Sequence, residues 1–143
     1  MGRPTNTQFA LAVHVLTMLA GLPRAMQSSE AMAASAGSNP VHIRRVLGRL
    51  REAGLVASRP GPGGGWQLLH PPQRTTLADV WRAVQGADPV LGLHEADPDC
   101  AVGRRIHANL GLIDRRANAA IEAELGRTTL AELAESTALE AAS

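Results

Sequence analysis

Apolar positions recur at helical spacing almost from the start of the chain. Phe9, Ala12, Val13, Leu16, Leu19 and Ala20 share one face, and Gly21 with Pro23 ends the run, so a helix is predicted from about Gln8. His14 lies within this helix and is expected to be packed or half-buried rather than to act as a ligand. A second, short helix is predicted after Ser28 or Ser29, either of which can cap it. Glu30 falls in its first turn, where the helix dipole favours an anion. That helix runs through Met32, Ala33 and Ala36 to Gly37.

After the break Gly37-Ser38-Asn39, Asn39 suits an N-cap and Pro40 suits the first helical position, where its missing N–H is not needed. The stretch VHIRRVLGRLREAG then predicts a third helix that stops at Gly54. Its apolar stripe is Ile43, Val46, Leu47 and Leu50, at i, i+3, i+4, i+7. Val41, Arg45, Gly48 and Glu52 lie opposite, flanked by His42, Arg44 and Arg49. The helix is cationic wherever it cannot be core.

Two short strands are predicted, at 55–58 and 66–69. RPGPGGGWQLLHPP joins them as the tip of a β-hairpin, prolines stiffening its entry and glycines permitting positive φ or the close approach of another backbone. Trp66 is expected to anchor this hairpin against the core rather than stack on a base. Two helices, a tight turn, a basic helix and a glycine-tipped hairpin describe a winged helix-turn-helix. The fold class is mainly α with a small β-hairpin.

Further along, Thr76 and Asp79 form a capping-box pattern before Leu77, Val80, Trp81 and Val84, and Gly86 closes that helix. Residues 87–100 are acidic and turn-rich without periodicity. A long helix is predicted from about Val102 to Leu125, with apolar positions at Val102, Ile106, Leu110, Ile113, Ala117, Ala120 or Ile121, and Leu125. That spacing suits a helical partner. Gly126 ends it, Thr129 and Glu132 cap a last short helix, and the tail from Thr137 is expected to fray. Three parts follow: 1–86, the winged helix-turn-helix; 87–100, an effector or linker loop; and 101–143, a dimerisation helix with a C-terminal helix.

Charge sharpens this picture. The net charge of +1 hides eight arginines against two glutamates in residues 1–75, a balance of +6. Residues 76–143 carry six arginines against eleven acids, a balance of −5. A basic first half suggests a polyanionic partner. At 143 residues and 45% hydrophobic content the chain is expected to be one domain, or one domain with an appended element, with a packed core that is mostly aliphatic because aromatics make up only 2%. Its longest apolar run, 9–22, falls short of the roughly 20 residues that span a bilayer. A cytoplasmic location is expected.

In a helix-turn-helix the basic helix enters the major groove with its N-terminal residues at base edges. His42, Arg44 and Arg45 are the candidate base readers, since the arginine fork bonds bidentately to guanine. Arg49, Arg51 and Arg59 are expected to grip phosphate. Gly63, Gly64 and Gly65 at the hairpin tip, with Ser28, Ser38 and Asn39 around the turn, complete the candidate DNA contacts. A nucleotide-binding loop is disfavoured, because GPGGGW is followed by no helix bearing Lys-Ser/Thr and lacks G-x-G-x-x-G spacing. No spacing suggests a catalytic set, so no enzyme is expected.

NPVHIRRVLGRLREAGLV, the GPGGGW wing and the helix starting TTLADV together resemble the Rrf2 family of bacterial transcription regulators, and the likeness covers nearly the whole chain. The resemblance implies a homodimer whose long helices cross, with recognition helices in major grooves and wings in adjacent minor grooves. Ile106, Leu110, Ile113, Ala117 and Ile121 would then form the dimer seam. Cluster-binding relatives carry three cysteines in the loop before the long helix, whereas LHEADPDCAVG has Cys100 alone. An iron–sulfur cluster is therefore not expected even with His94, Asp97, Asp99 or His107 as helpers, and neither is another metal or cofactor. Two readings of Cys100 stay open: an inert thiol, or a redox-responsive one favoured by a helix N-terminus with Arg104 and Arg105 one turn on.

The function expected from all this is a sequence-specific DNA-binding regulator, a repressor binding a palindromic operator as a homodimer, with a protein or small-molecule effector. The alternative is a winged-helix interaction module whose DNA binding a partner protein controls.

Overall fold

The computed structural model describes residues 7–21 and 26–141. Pro23, the expected stop of the first helix, lies outside the described residues, as do Arg3 and Arg24 of the basic half. The elements in order are helices α1 (Thr7–Gly21), α2 (Ser29–Ala36) and α3 (Pro40–Glu52), strands β1 (Val56–Arg59) and β2 (Gly65–Leu68), then helices α4 (Leu77–Gln85), α5 (Ala101–Leu125) and α6 (Leu130–Ala141). A 3₁₀ turn at Pro72–Arg74 leads into α4.

Local chemistry sets most of these boundaries. Ser28 caps α2, its hydroxyl accepting from the Ala31 N–H at 3.1 Å, while Ser29 is buried. The α2–α3 turn is made by Gly37 in the left-handed region (φ 60°), with the Ser38 N–H bonded to the Ala33 carbonyl at 3.0 Å. Asn39 then caps α3, accepting from the Val41 N–H at 2.8 Å with Pro40 in the first turn. At its far end the Gly54 N–H bonds to Arg51 and the Leu55 N–H to Leu50, both at 2.9 Å, so the chain leaves the helix through Gly54. These bonds hold Leu55 to the helix end. The strands accordingly run one residue later and one earlier than expected, with the register Val56↔Leu68 through Arg59↔Gly65.

The core gathers Ala12, Val15, Leu16 and Leu19 of α1, Met32 of α2, Ile43, Val46, Leu47 and Leu50 of α3, Val56, and Val80 and Val84 of α4. His14 is exposed rather than packed or half-buried; it flanks this stripe, and its Nε2 lies 3.1 Å from the Ser35 hydroxyl. Thr76 and Asp79 complete the capping box of α4.

The C-terminal helix is longer and better held than its sequence suggests. Thr129 and Glu132 cap it reciprocally, and it continues to Ala141 rather than fraying from Thr137. Leu130 is completely buried in the core, and α6 packs along α1. A short antiparallel contact pins the entry to α6, with the Leu130 N–H bonded to the Thr75 carbonyl at 2.9 Å and the Leu77 N–H to Thr128 at 3.0 Å.

Helix α5 lies against α4 through polar groups. The Trp81 indole donates to Asn118 Oδ1 at 2.8 Å, Arg82 pairs with Glu122 at 3.3 Å, and Asp114 accepts from the Leu91 N–H at 2.6 Å. Residues 114, 118 and 122 recur every four positions, which fixes the face of α5 turned to the body.

Candidate nucleic-acid interface

The inward stripe of α3 is fully buried, which turns the opposite face to solvent. Val41, His42, Arg44 and Arg45 are all exposed there. The side chains of His42 and Arg45 make no hydrogen bond or ion pair among the described residues. Arg44 approaches Glu30 at 3.9 Å with both side chains more than half exposed, a pairing worth little in water. The expected base readers thus stand together on one surface, in the first half of the helix.

The other arginines are placed differently. Arg49, expected to grip phosphate, is half-buried and donates to the Val84 carbonyl at 2.6 Å, which ties α3 to the C-terminus of α4. The Arg51 guanidinium lies over the Trp66 ring, 5.5 Å from its centroid, and reaches the Ser58 hydroxyl at 3.4 Å. It braces the hairpin against the end of α3. Arg59 is exposed at the end of β1, beside the tip.

The hairpin is held to the body by its backbone. Gln27 and Trp66 exchange both hydrogen bonds, at 3.1 and 2.8 Å, as a fragment of a third strand. Trp66 is half-buried against the core. A β-carbon at Gly65 would come within 2.6 Å of the Gln27 carbonyl oxygen, and one at Gly64 within 2.1 Å of the Arg59 carbonyl oxygen. The glycine density of this loop is therefore partly internal: Gly64 closes the hairpin and Gly65 admits the neighbouring chain. Gly63 stands exposed at the turn itself.

Ser28 and Asn39 hold the N–H groups of the first turns of α2 and α3, and Ser38 sits half-buried in the turn between them. Val41, the apolar residue opposite the apolar stripe, is 54% exposed on this face. Beside α3, a cavity of about 720 Å³ opens between the start of α1, the α2–α3 turn and the end of α4, with His14, Arg49 and the exposed His42 and Arg45 on its walls.

Helix α5 presents a second surface. None of its residues is buried; Val102 is 67%, Ile106 45% and Ile113 48% exposed, while Leu110, Ala117 and Ile121 are half-buried toward the body. Leu112, absent from the expected stripe, is 48% exposed. The single apolar line of the sequence thus divides between an outward edge and a shoulder.

At the start of α5, Cys100 is exposed and serves as the N-cap, its Sγ accepting from the Gly103 N–H at 3.3 Å. Arg104 turns back to the Pro98 carbonyl. Asp97 accepts from the Asp99 N–H. Among the described residues no three His, Cys, Asp or Glu side chains come together as a metal site. One thiol per chain does not fit the cysteine ligation of an iron–sulfur cluster. No described helix is long and apolar enough to cross a membrane.

Comparison with known proteins agrees with this geometry. Residues 5–136 match the family model of Rrf2, described as an iron-dependent transcriptional regulator. YwnA of Bacillus subtilis (strain 168), assigned as an HTH-type transcriptional regulator, is 33% identical over 129 residues, covering 90% of this chain and 95% of YwnA. A crystal structure described as a DNA-binding protein is 30% identical with a TM-score of 0.68, covering 89% of this chain and 98% of that one. The structure of CymR (YrzC), the global cysteine regulator of B. subtilis, shares the fold at 24% identity and a TM-score of 0.66, covering 94% and 98% of the two chains. These relatives are regulators rather than enzymes.

Proposed function

This chain belongs to the Rrf2 family of transcriptional regulators, and from that premise we propose that it is a homodimeric repressor that binds a palindromic operator and occludes promoter sequence in the cytoplasm. The observation that carries the reading is the face of α3: His42, Arg44 and Arg45 exposed together, with the side chains of His42 and Arg45 unengaged among the described residues, beside a hairpin that carries Arg59. Recognition helices meet the major groove with such residues, and the exposed wing tip suits the adjacent minor groove.

The outward edge of α5 supports a second copy. A helix of 25 residues is about 37 Å long, and Val102, Ile106 and Ile113 leave an apolar line along it in water. Two-fold pairing of such helices would set two α3 helices at half-sites about one helical turn apart, which is why the operator is expected to be palindromic.

Arg44, Arg45 and Arg59 bring about six cationic side chains to the duplex across a dimer, and binding should weaken steeply between about 50 and 200 mM salt as counterions leave the phosphates. Titration of a fluorescent fragment of the chain's own upstream region, followed by anisotropy at several salt concentrations, tests this. Salt-indifferent binding would refute the contacts. No retardation of DNA together with stoichiometric capture of a protein would favour the interaction-module reading.

An effector is part of the proposal, either a small molecule in the cavity beside α3 or a partner protein. The family description names iron, but one cysteine per chain does not fit the ligation of an iron–sulfur cluster. Cys100 supports redox control, because its thiol is exposed at the start of the proposed dimer helix. Peroxide would convert it to the sulfenic acid, releasing water. DNA affinity that still responds to peroxide in Cys100→Ser would eliminate that control.

A further inference from the structure

Val41, Arg45 and Gly48 form one line along the outward face of α3, at i, i+4 and i+7. Val41 is 54% exposed, an apolar side chain left in water on a cationic face. The core stripe of Ile43, Val46, Leu47 and Leu50 lies on the far side of the helix, so no internal packing accounts for it. Gly48 is equally unexplained from within. It sits in the middle of a helix, where glycine is unfavourable. A β-carbon there would meet nothing within 4 Å, and its φ is not in the left-handed region. Neither a turn nor a close internal contact requires this glycine. An apolar knob and a half-buried backbone position without a side chain, on the surface turned to the proposed ligand, are both accounted for by the close approach of that ligand.

We propose that Val41 reads a thymine, packing its side chain on the 5-methyl group in the major groove, while Gly48 lets the second half of α3 lie close to the duplex. The inference rests on the DNA-binding reading above and adds a base preference to it. Val41 lies in the first turn of α3, the part of a recognition helix that faces base edges. Among the four bases only thymine carries a methyl group into the major groove. A β-branched side chain holds a single χ1 in a helix, so fixing it against the methyl group costs little entropy. Arg45 stands one turn on, about 6 Å along the axis, and its fork matches guanine O6 and N7. At 3.4 Å per base pair the thymine and the guanine fall about two steps apart in each half-site.

The test uses duplexes recovered from a randomised pool by the full-length protein. Each thymine is replaced in turn by deoxyuridine, which removes only the 5-methyl group. One thymine per half-site, about two steps from the guanine, should lose about fourfold in affinity on replacement, the effect of burying one methylene-sized group. Val41→Ala, at an exposed helical position that alanine favours, should bind the thymine and deoxyuridine duplexes alike. The absence of any methyl-sensitive thymine, or a full penalty persisting in Val41→Ala, overturns the assignment. Salt-dependent binding to the same duplexes would then leave the DNA-binding reading standing. A pool in which no sequence is enriched overturns both.

Discussion

Replacing Gly48 with alanine should make the free protein more stable and its complex with DNA weaker. The residue is helical, within α3, and an added β-carbon would project into open space. Nothing has to move to accept it. Glycine inside a helix is less favourable than alanine by about 0.5–1 kcal/mol, through backbone entropy in the unfolded chain. For a chain of 143 residues that raises the midpoint of thermal unfolding by about 2–4 °C. On the duplex the sign reverses. The methyl group would stand on the same line as Val41 and Arg45 and hold the helix away from the groove, and a loss of about 1.4 kcal/mol would appear as a tenfold weaker Kd. Scanning calorimetry of the free protein and anisotropy on a selected duplex read the two effects separately. A raised midpoint with operator affinity unchanged within twofold would show that the glycine serves no close approach. A lowered midpoint would refute the open space around it.

Three further outcomes are expected. Ile106→Glu combined with Ile113→Glu should leave the fold intact, because both residues are about half exposed in the single chain, yet convert the proposed dimer to monomers in sedimentation velocity; a dimer left unchanged would place the seam elsewhere. Leu130→Ala removes a completely buried side chain and should destabilise the chain by about 3 kcal/mol in urea unfolding, far more than a substitution in a loosely held tail. A loss below about 0.5 kcal/mol would show that α6 is not part of the core. Arg51→Ala removes the cation over Trp66 and its contact with Ser58, so Trp66 should become more solvent-exposed in fluorescence quenching, with a stability loss of about 0.5–1 kcal/mol. Unaltered quenching would mean that the hairpin is held by the Gln27 pairing alone.

How far the sequence reaches can be judged from these residues. Asn39 with Pro40, Thr76 with Asp79 and Thr129 with Glu132 each act within four positions of themselves, so the starts of α3, α4 and α6 were legible without any knowledge of the rest. The same holds for the buried stripe of α3, which periodicity alone marks out, and so for its outward face with His42, Arg44 and Arg45. The hairpin was legible too, although its strands are displaced by one residue because Leu55 is bonded back to the helix end.

Other features depend on partners distant along the chain. Arg44, Arg45, Arg49 and Arg51 are alike as letters in one helix. The carbonyl of Val84 and the ring of Trp66 decide that Arg49 turns inward and Arg51 lies along the hairpin, while Arg45 stays unengaged in solvent. Tertiary packing also brings Leu130 onto α1 and turns Asp114, Asn118 and Glu122 toward the body, which leaves Val102, Ile106 and Ile113 outside. Caps and periodicity are short-range and are written in neighbouring residues. The roles of the long charged side chains and of the helix faces depend on which acceptor or surface the folded chain brings within reach.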